Sequence, residues 1–212
     1  MLKHVMRRGA IKPYCGYSLT ELLVACSLAS IVISAVATQA ARSHIAQSSI
    51  QHATSVEDDI RALQSTITQH LSKAGFVYSP NTLSPFGATT IENTIFEVTT
   101  GHRANEPENS CVTFSYDKNK DGVVSQAQGE FFGYRLHDNA IEYRVAGHSC
   151  IQSGWYDLTD TQTTVATKFT VNRRHSSSWG SAYEIEIELH SKVDPTVKSA
   201  RTFIVEAVNA YY

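Results

Sequence analysis

The stretch CGYSLTELLVACSLASIVISAVATQAAR, residues 15–42, decides how the rest of the chain is interpreted. It contains an apolar run of about 25 residues, which is longer than the ~20 residues that a helix needs to cross a bilayer. Glu21 lies near the start of this run, although a carboxylate within hydrocarbon costs at least ~2.5 kcal/mol even on the mildest insertion scale. The run therefore predicts a membrane helix with one acidic residue that needs its own explanation.

Charge is unevenly distributed along the chain. The leader, residues 1–16, carries Lys3, Arg7, Arg8 and Lys12 and no acidic residue. The chain has 18 basic and 20 acidic residues, so 14 basic residues face all 20 acidic ones beyond the leader. A basic flank followed by an apolar run is typical of a segment whose start stays in the cytoplasm while the body is exported. The mildly acidic body does not favour a broad nucleic-acid groove.

The small residue of a candidate processing site precedes the apolar run. A secretory signal peptide has its cleavage site after the apolar core, whereas cleavage at Gly16 leaves the helix attached to the body. Gly16, the aromatic Tyr17, and Glu21 at the fifth position after the glycine resemble the processing motif of the type IV prepilin family. That family includes pilins and the pseudopilins of type II secretion. Tyr17 departs from the phenylalanine that is more usual there.

This resemblance implies a processing pathway and a role for Glu21. A prepilin peptidase would cut after Gly16, and Tyr17 would then be N-methylated. Glu21 would pair with the N-terminal amine of a neighbouring subunit or of its own chain, because a paired charge is tolerated in low dielectric where an isolated one is not. The alternative is a glutamate close enough to the interface to reach headgroups. The implied partners are the peptidase, inner-membrane lipid, other minor pilins and the major pilin.

Beyond residue 42, apolar positions recur at spacings of three and four, which predicts an amphipathic continuation of the membrane helix. Gly75 is expected to end it. The positions expected to face a core are Ile45, His52 in part, Val56, Ile60, Leu63, Ile67, Leu71 and Ala74. The chain then divides into the leader (1–16), a transmembrane helix (17–41), the amphipathic continuation (42–76) and a β-rich head (77–212).

The head has short runs of β-favouring residues separated by turn residues. The predicted strands are 94–99, 111–116, 131–136, 140–145, 164–171, 183–190 and 202–208, and 172–181 is expected to be a loop. Asp138 and Asn139 are expected to hold a hairpin turn. Strict alternation in YEIEIELH directs Ile185, Ile187 and Leu189 towards a core. The predicted fold class is α+β: a type IV pilin-like fold, with a long N-terminal helix, membrane-spanning in its first half, packed against an antiparallel β-rich head.

The four cysteines divide by compartment. Cys15 lies in the leader and Cys26 in the membrane helix, whereas Cys111 and Cys150 lie in the part expected to face an oxidising space. A disulfide between Cys111 and Cys150 would contribute about 3–4 kcal/mol in the chain-entropy model. Two free buried thiols are the alternative.

Between these cysteines, YDKNKDGVVSQAQGE places oxygen ligands at alternate positions, followed by Gly122, as in calcium loops. The twelfth position is Gln128 instead of a bidentate glutamate. The alternative is a polar turn, because Asp, Asn and Gly are favoured in turns. The candidate calcium ligands are Asp117, Asn119, Asp121, the Val123 carbonyl and Glu130.

A second resemblance covers roughly residues 16–76 and 111–160. Cys111 with VTFSYDKNKDG, then FFGYRL, then Cys150, then GWYDLTD appear in the same order in PilW-like minor pilins. HLSKAGF at 70–76 resembles the same branch, which includes J-type pseudopilins. The sequence is especially similar to the prepilin peptidase-dependent protein B group. Among the aromatics of these motifs, Phe132, Tyr134, Trp155 and Tyr156, core packing is the favoured use over binding.

The resemblance implies a minor pilin, a structural subunit of the inner membrane whose head lies in the periplasm and which helps to start or cap a type IV pilus. One alternative is the J-type pseudopilin of a type II secretion system. Another is a tip-exposed module that binds DNA or a surface, supported locally by Arg173, Arg174 and Trp179 as a cation-plus-stacking patch. Motifs such as H-E-x-x-H, G-x-S-x-G and C-x-x-C are absent, so we expect no enzymatic activity.

Overall fold

The computed structural model describes residues 16, 18–78, 98–177 and 180–209, and the chain forms two compact units, Met1–Ser48 and Ser49–Tyr212. The elements among these residues are α1 (Leu19–Leu71), β1 (Thr99–Gly101), β2 (Cys111–Ser115), β3 (Phe131–His137), β4 (Ala140–Tyr143), β5 (Tyr156–Asp157), β6 (Thr164–Ser177), β7 (Gly180–Ser191) and β8 (Lys198–Ala207).

The described part of the first unit contains Gly16, Ser18 and the start of α1. Leu19–Ser43 is long and apolar enough to cross a membrane, and none of it is buried in the structure. The hydroxyls of Ser27, Ser30 and Ser34 each donate to carbonyl oxygens three and four residues earlier. Serine is therefore compatible with an apolar helix here, because the helix backbone itself supplies the acceptors.

In the second unit, the remainder of α1 packs against the head. The predicted core positions Val56, Ile60, Leu63, Ile67, Leu71 and Ala74 are all buried, which confirms the spacing of three and four over this part of the helix. The side chain of Ile45, the remaining predicted core position, lies outside the described residues. Each fully buried large aliphatic side chain contributes about 1.5–3 kcal/mol. The α-helix ends at Leu71, and Gly75 follows in a left-handed conformation (φ 79°) with its N–H donating to the Ser115 carbonyl at 2.9 Å.

A five-stranded antiparallel sheet has the order β1-β2-β3-β4-β5. The β3–β4 hairpin turns at Asp138 (φ 48°) and Asn139 (φ 64°), as predicted, because both residues tolerate the positive φ that such a turn requires. β5 has only two residues and was not predicted. The predicted strand 94–99 lies largely outside the described residues.

A second antiparallel sheet has the order β6-β7-β8. Ile185, Ile187 and Leu189 of β7 are buried as the alternation predicted. The expectation of a loop over 172–181 is wrong, because the β6–β7 ladder continues to the pair Ser177 and Gly180. One register shift, between Arg173 and His175, lies in this stretch. Ladder hydrogen bonds use the backbone, so a serine-rich composition does not end the strand.

Polar contacts fasten the helix to the second sheet. Glu57 accepts a hydrogen bond from the Ser199 hydroxyl at 2.7 Å and pairs with Arg61 and Arg201. The Ser199 hydroxyl, with the two guanidinium groups, lowers the pKa of Glu57 to about 2. Asp59 accepts from the Thr164 hydroxyl at 2.5 Å. The predicted α+β class, a long N-terminal helix with an antiparallel β-rich head, is confirmed.

Candidate functional site

Glu21 occupies the first turn of α1, where it caps its own helix. The Ser18 backbone N–H donates to the Glu21 carboxylate at 2.9 Å, and the Leu22 N–H donates to the Ser18 carbonyl at 3.1 Å. This is the glutamate half of a capping box, which satisfies an N–H that the helix leaves unpaired. A negative charge is also favourable near a helix N-terminus. Within one chain, Glu21 is thus a capping residue.

The processing motif is described only in part. Gly16 is exposed, and a Cβ built on it would have no atom within 4 Å, so nothing in the described chain obstructs this position. Tyr17 and residues 1–15 lie outside the described residues. Cleavage after Gly16 and methylation of Tyr17 therefore stay predictions.

The disulfide between Cys111 and Cys150 is present, and it joins β2 to the loop between β4 and β5 with a Cα–Cα distance of 6.0 Å. Arg135 is the cross-strand neighbour of Cys111, and it donates to the carbonyls of Cys150 and Gln152 at 2.7 Å each. The covalent bond and these two hydrogen bonds hold the same loop on the sheet.

Arg135 is also the centre of a buried ion pair that the sequence reasoning did not identify. Its side chain is 2% exposed, and its Nε donates to Glu142 at 2.5 Å. The guanidinium carbon lies 4.6 Å from the ring centroid of Trp155, a cation–π contact. Arg135 and Glu142 occupy facing positions on β3 and β4, so the hairpin register, once known, would have placed them together.

In the predicted calcium loop, backbone N–H groups donate hydrogen bonds to two of the acidic side chains. Both Asp117 and Glu130 are almost fully buried. The Asp117 carboxylate accepts four backbone N–H groups, from Tyr78 and from residues 120–122, at 2.6–3.2 Å. The Glu130 carboxylate accepts three more, from residues 118, 119 and 125, at 2.8–3.3 Å. Two buried carboxylates are satisfied in this way by backbone donors, all of them from the loop itself except Tyr78.

The same contacts bear on how a cation would fit. Asp121 accepts from the Val123 N–H and from the side-chain amides of Asn119 and Gln128. Each oxygen of Asp117 already accepts two N–H groups, so a cation bound there must displace a backbone donor. The set does not fit calcium without rearrangement, and the calcium ligands stay a prediction.

The predicted nucleic-acid patch is distributed over strand β6. Arg174 pairs with Glu184, and the Arg173 guanidinium lies 5.9 Å from the ring centroid of Tyr183 while donating to the Val98 carbonyl at 3.4 Å. Trp179 lies outside the described residues. Both guanidinium groups thus have partners within the head, and DNA binding by this patch stays a prediction.

The aromatic residues of the family motifs differ in burial. Tyr134 and Trp155 are buried, and Phe132 packs against the core, as expected. Tyr156 is 58% exposed, so the expectation of core packing is wrong at this position. It lies on the two-residue edge strand β5, where one side of the strand has no neighbour to cover it.

Taken together, the helix and the head define an α+β protein of pilin-like layout whose N-terminal helix is consistent with a single-pass membrane anchor. The family model of prepilin peptidase-dependent protein B matches residues 49–207. The chain therefore belongs to the prepilin peptidase-dependent protein B family.

A curated relative supports this assignment over nearly the whole chain. Prepilin peptidase-dependent protein B of Escherichia coli (strain K12) is 22% identical over 197 residues, which cover 92% of this chain and 96% of that protein. No solved structure gives a significant match.

Proposed function

We propose that this chain is a minor pilin that helps to initiate or cap a type IV pilus after processing by a prepilin peptidase. The observation that carries the proposal is the family match over residues 49–207, in a chain where an exposed Gly16 precedes an apolar helix bearing Glu21. The function is structural, and the chain performs no reaction of its own.

In this proposal the helix anchors the chain in the inner membrane and the head lies in the periplasm. Leu19–Ser43 is exposed along its whole length in the single chain, and in a filament this surface would pack against helices of other pilins. Head-to-tail contacts that do not close into a ring generate an open helical filament. As a minor subunit that starts or caps the filament, this chain would occupy one end of it.

Glu21 has two proposed roles that require different chemistry. Capping requires a hydrogen-bond acceptor for the Ser18 N–H, and glutamine serves as well as glutamate in a capping box. Pairing with a methylated N-terminal amine requires a negative charge. Glu21→Gln therefore separates the roles, since it retains the acceptor and removes the charge.

We expect Glu21→Gln to impair assembly about as strongly as Glu21→Ala, while both variants are still processed. The measurement is the amount of this subunit in sheared filaments, relative to the amount in membranes. If Glu21→Gln assembled normally and Glu21→Ala did not, capping would be the only role of the residue. Normal assembly of both variants would contradict the proposed role in the filament.

The processing step is tested by the intact mass of the full chain from cells with and without the prepilin peptidase. We expect loss of residues 1–16 and a gain of about 14 Da for one methyl group, only when the peptidase is present. An unprocessed chain in both strains would contradict the proposal.

A further inference from the structure

A histidine lies in the contact between the last turn of α1 and the five-stranded sheet. His70 is half-buried, and its Nδ1 lies 2.6 Å from the hydroxyl oxygen of Tyr134 on β3. Its ring also packs near the rings of Phe132 and Tyr116, with centroids 5.0 and 6.4 Å apart. Histidine is the side chain whose ordinary pKa lies closest to neutral pH, so mild acidification can change the charge of this contact.

The hydrogen bond with Tyr134 favours the neutral imidazole. Tyr134 is buried, and its burial raises the pKa of the phenol, so the hydroxyl keeps its proton and donates it. On this ground we assign Nδ1 of His70 as the acceptor, with the ring proton on Nε2. Both nitrogens of a protonated imidazole are donors. Protonation of His70 would therefore leave the buried hydroxyl proton of Tyr134 without this acceptor, which is unfavourable.

The positive charges around His70 also oppose its protonation. Lys73 follows it at the end of the helix, with its ammonium nitrogen 5.8 Å from the ring centroid of Tyr116, and Lys118 lies in the loop after β2. Burial, together with the charges of Lys73 and Lys118, lowers the pKa of His70 from its usual value of 6.5. A charged His70 would be the third cation at this place.

No acidic side chain balances that charge. The carboxylates that follow β2 and precede β3, Asp117 and Glu130, accept backbone N–H groups. Among the described residues, His70 forms no ion pair. It lines an open groove of about 460 Å³ with Tyr143 and Tyr156, whose phenols are neutral near pH 7. The groove gives solvent protons access to the imidazole.

We propose that His70 is a pH-sensitive switch in the contact between α1 and the five-stranded sheet. Neutral His70 accepts the Tyr134 hydroxyl and completes the contact. Protonation removes the acceptor and adds a positive charge beside Lys73 and Lys118, so acidification loosens the last turn of α1. The switch lies within the second unit and does not depend on the proposed function, so either can fail without the other.

The direction of the pH effect follows from linkage. Because the pKa of His70 is lowered in the folded chain, the unfolded chain binds the proton more readily. The contribution of His70 to stability is therefore present above pH 6.5 and is lost as the pH falls below 6.5 towards the pKa of the folded chain. Each unit by which the folded pKa is lowered corresponds to a loss of about tenfold in the folding equilibrium constant.

The first experiment is thermal unfolding of the full chain in detergent micelles from about pH 8 to about pH 5, the range in which histidine titrates. His70→Asn retains an acceptor and cannot become charged. We expect the wild-type chain to lose more thermal stability in acid than His70→Asn does. The matched control His102→Asn changes an exposed histidine and should keep the wild-type profile. Parallel profiles of the wild type and His70→Asn would overturn the switch.

The second experiment locates the effect by amide hydrogen exchange, expressed as protection factors that correct for the intrinsic effect of pH. Protection of residues 66–76 should fall in acid in the wild type and not in His70→Asn. Lys73→Gln leaves the histidine in place and removes one exposed cation, so it should diminish the wild-type loss. Unchanged protection at the end of α1, or an undiminished loss in Lys73→Gln, would contradict the proposal.

Discussion

Methionine in place of Arg135 would fill part of the volume of the arginine side chain but would leave its partners without a cation. Glu142, 8% exposed, would keep a buried charge, and the carbonyls of Cys150 and Gln152 would lose their donors. Removing one partner of a buried ion pair costs about 3–5 kcal/mol. The lost stacking on Trp155 places the expected value towards the upper end of that range.

This loss is a large part of the ~5–15 kcal/mol that stabilises a typical domain. For a domain of this size it corresponds to a decrease of about 6–20 °C in melting temperature. The assay is thermal unfolding of the full chain in detergent micelles, followed by tryptophan fluorescence. Trp155, one of the two tryptophans of the chain, lies against Arg135 and reports on the affected region.

Two variants make this test selective. Arg174→Met removes an arginine from an exposed pair, in which the Arg174 side chain is 59% exposed, and such pairs contribute only ~0–1 kcal/mol. The double variant Arg135→Met with Glu142→Leu should recover most of the lost stability, because no buried charge remains unpaired. If Arg135→Met lowered the melting temperature no more than Arg174→Met, the buried pair of Arg135 and Glu142 would not make a large contribution to the free energy of unfolding.

Three further expectations concern the second unit. The pKa of Glu57 is lowered from 4.5 to about 2 in the folded chain. Its contribution to stability is therefore present above about pH 4.5 and is lost as the pH falls towards 2. Glu57→Gln should flatten the melting temperature as a function of pH over that range. Gly133→Ala should destabilise by about 1–3 kcal/mol in urea unfolding, since its Cβ would lie 2.6 Å from a backbone oxygen, whereas the ordinary 3.4 Å contact at Gly101 makes Gly101→Ala a control. Calcium at about 1 mM is a concentration at which weak extracellular sites fill. It should change the melting temperature by no more than about 1 °C relative to calcium-free buffer, because Asp117 is saturated by N–H donors. A larger rise that Asp121→Ala abolishes would contradict this expectation.

Local periodicity was enough to predict most of the architecture. The positions of α1 that pack on the head repeat every three or four residues, and β7 alternates strictly, so burial follows from the pattern alone. The Asp138–Asn139 turn was also predictable, because both residues tolerate positive φ. Such features depend on neighbours in the sequence, and they need no knowledge of which strands pair.

The buried ion pair shows where this reasoning stops. Arg135 and Glu142 are seven positions apart in a hairpin, and either could have faced solvent by the alternation of its strand. Their burial depends on the loop after Cys150 folding over them, which is a contact set by the disulfide and by Trp155. A charged residue in a strand predicts exposure, and only the three-dimensional arrangement of its partners reverses that expectation.

Tyr156 is the opposite case, because a residue expected in the core is 58% exposed. Core packing was the favoured use of this family-motif aromatic, and its strand partner Tyr143, which in turn pairs with Tyr134, does continue the core face of the sheet. α1 covers Tyr134, which contacts His70, but it leaves Tyr143 and Tyr156 40% and 58% exposed. Strand pairing places these tyrosines on one face, but how much of that face a helix covers depends on tertiary packing, which the sequence pattern does not contain.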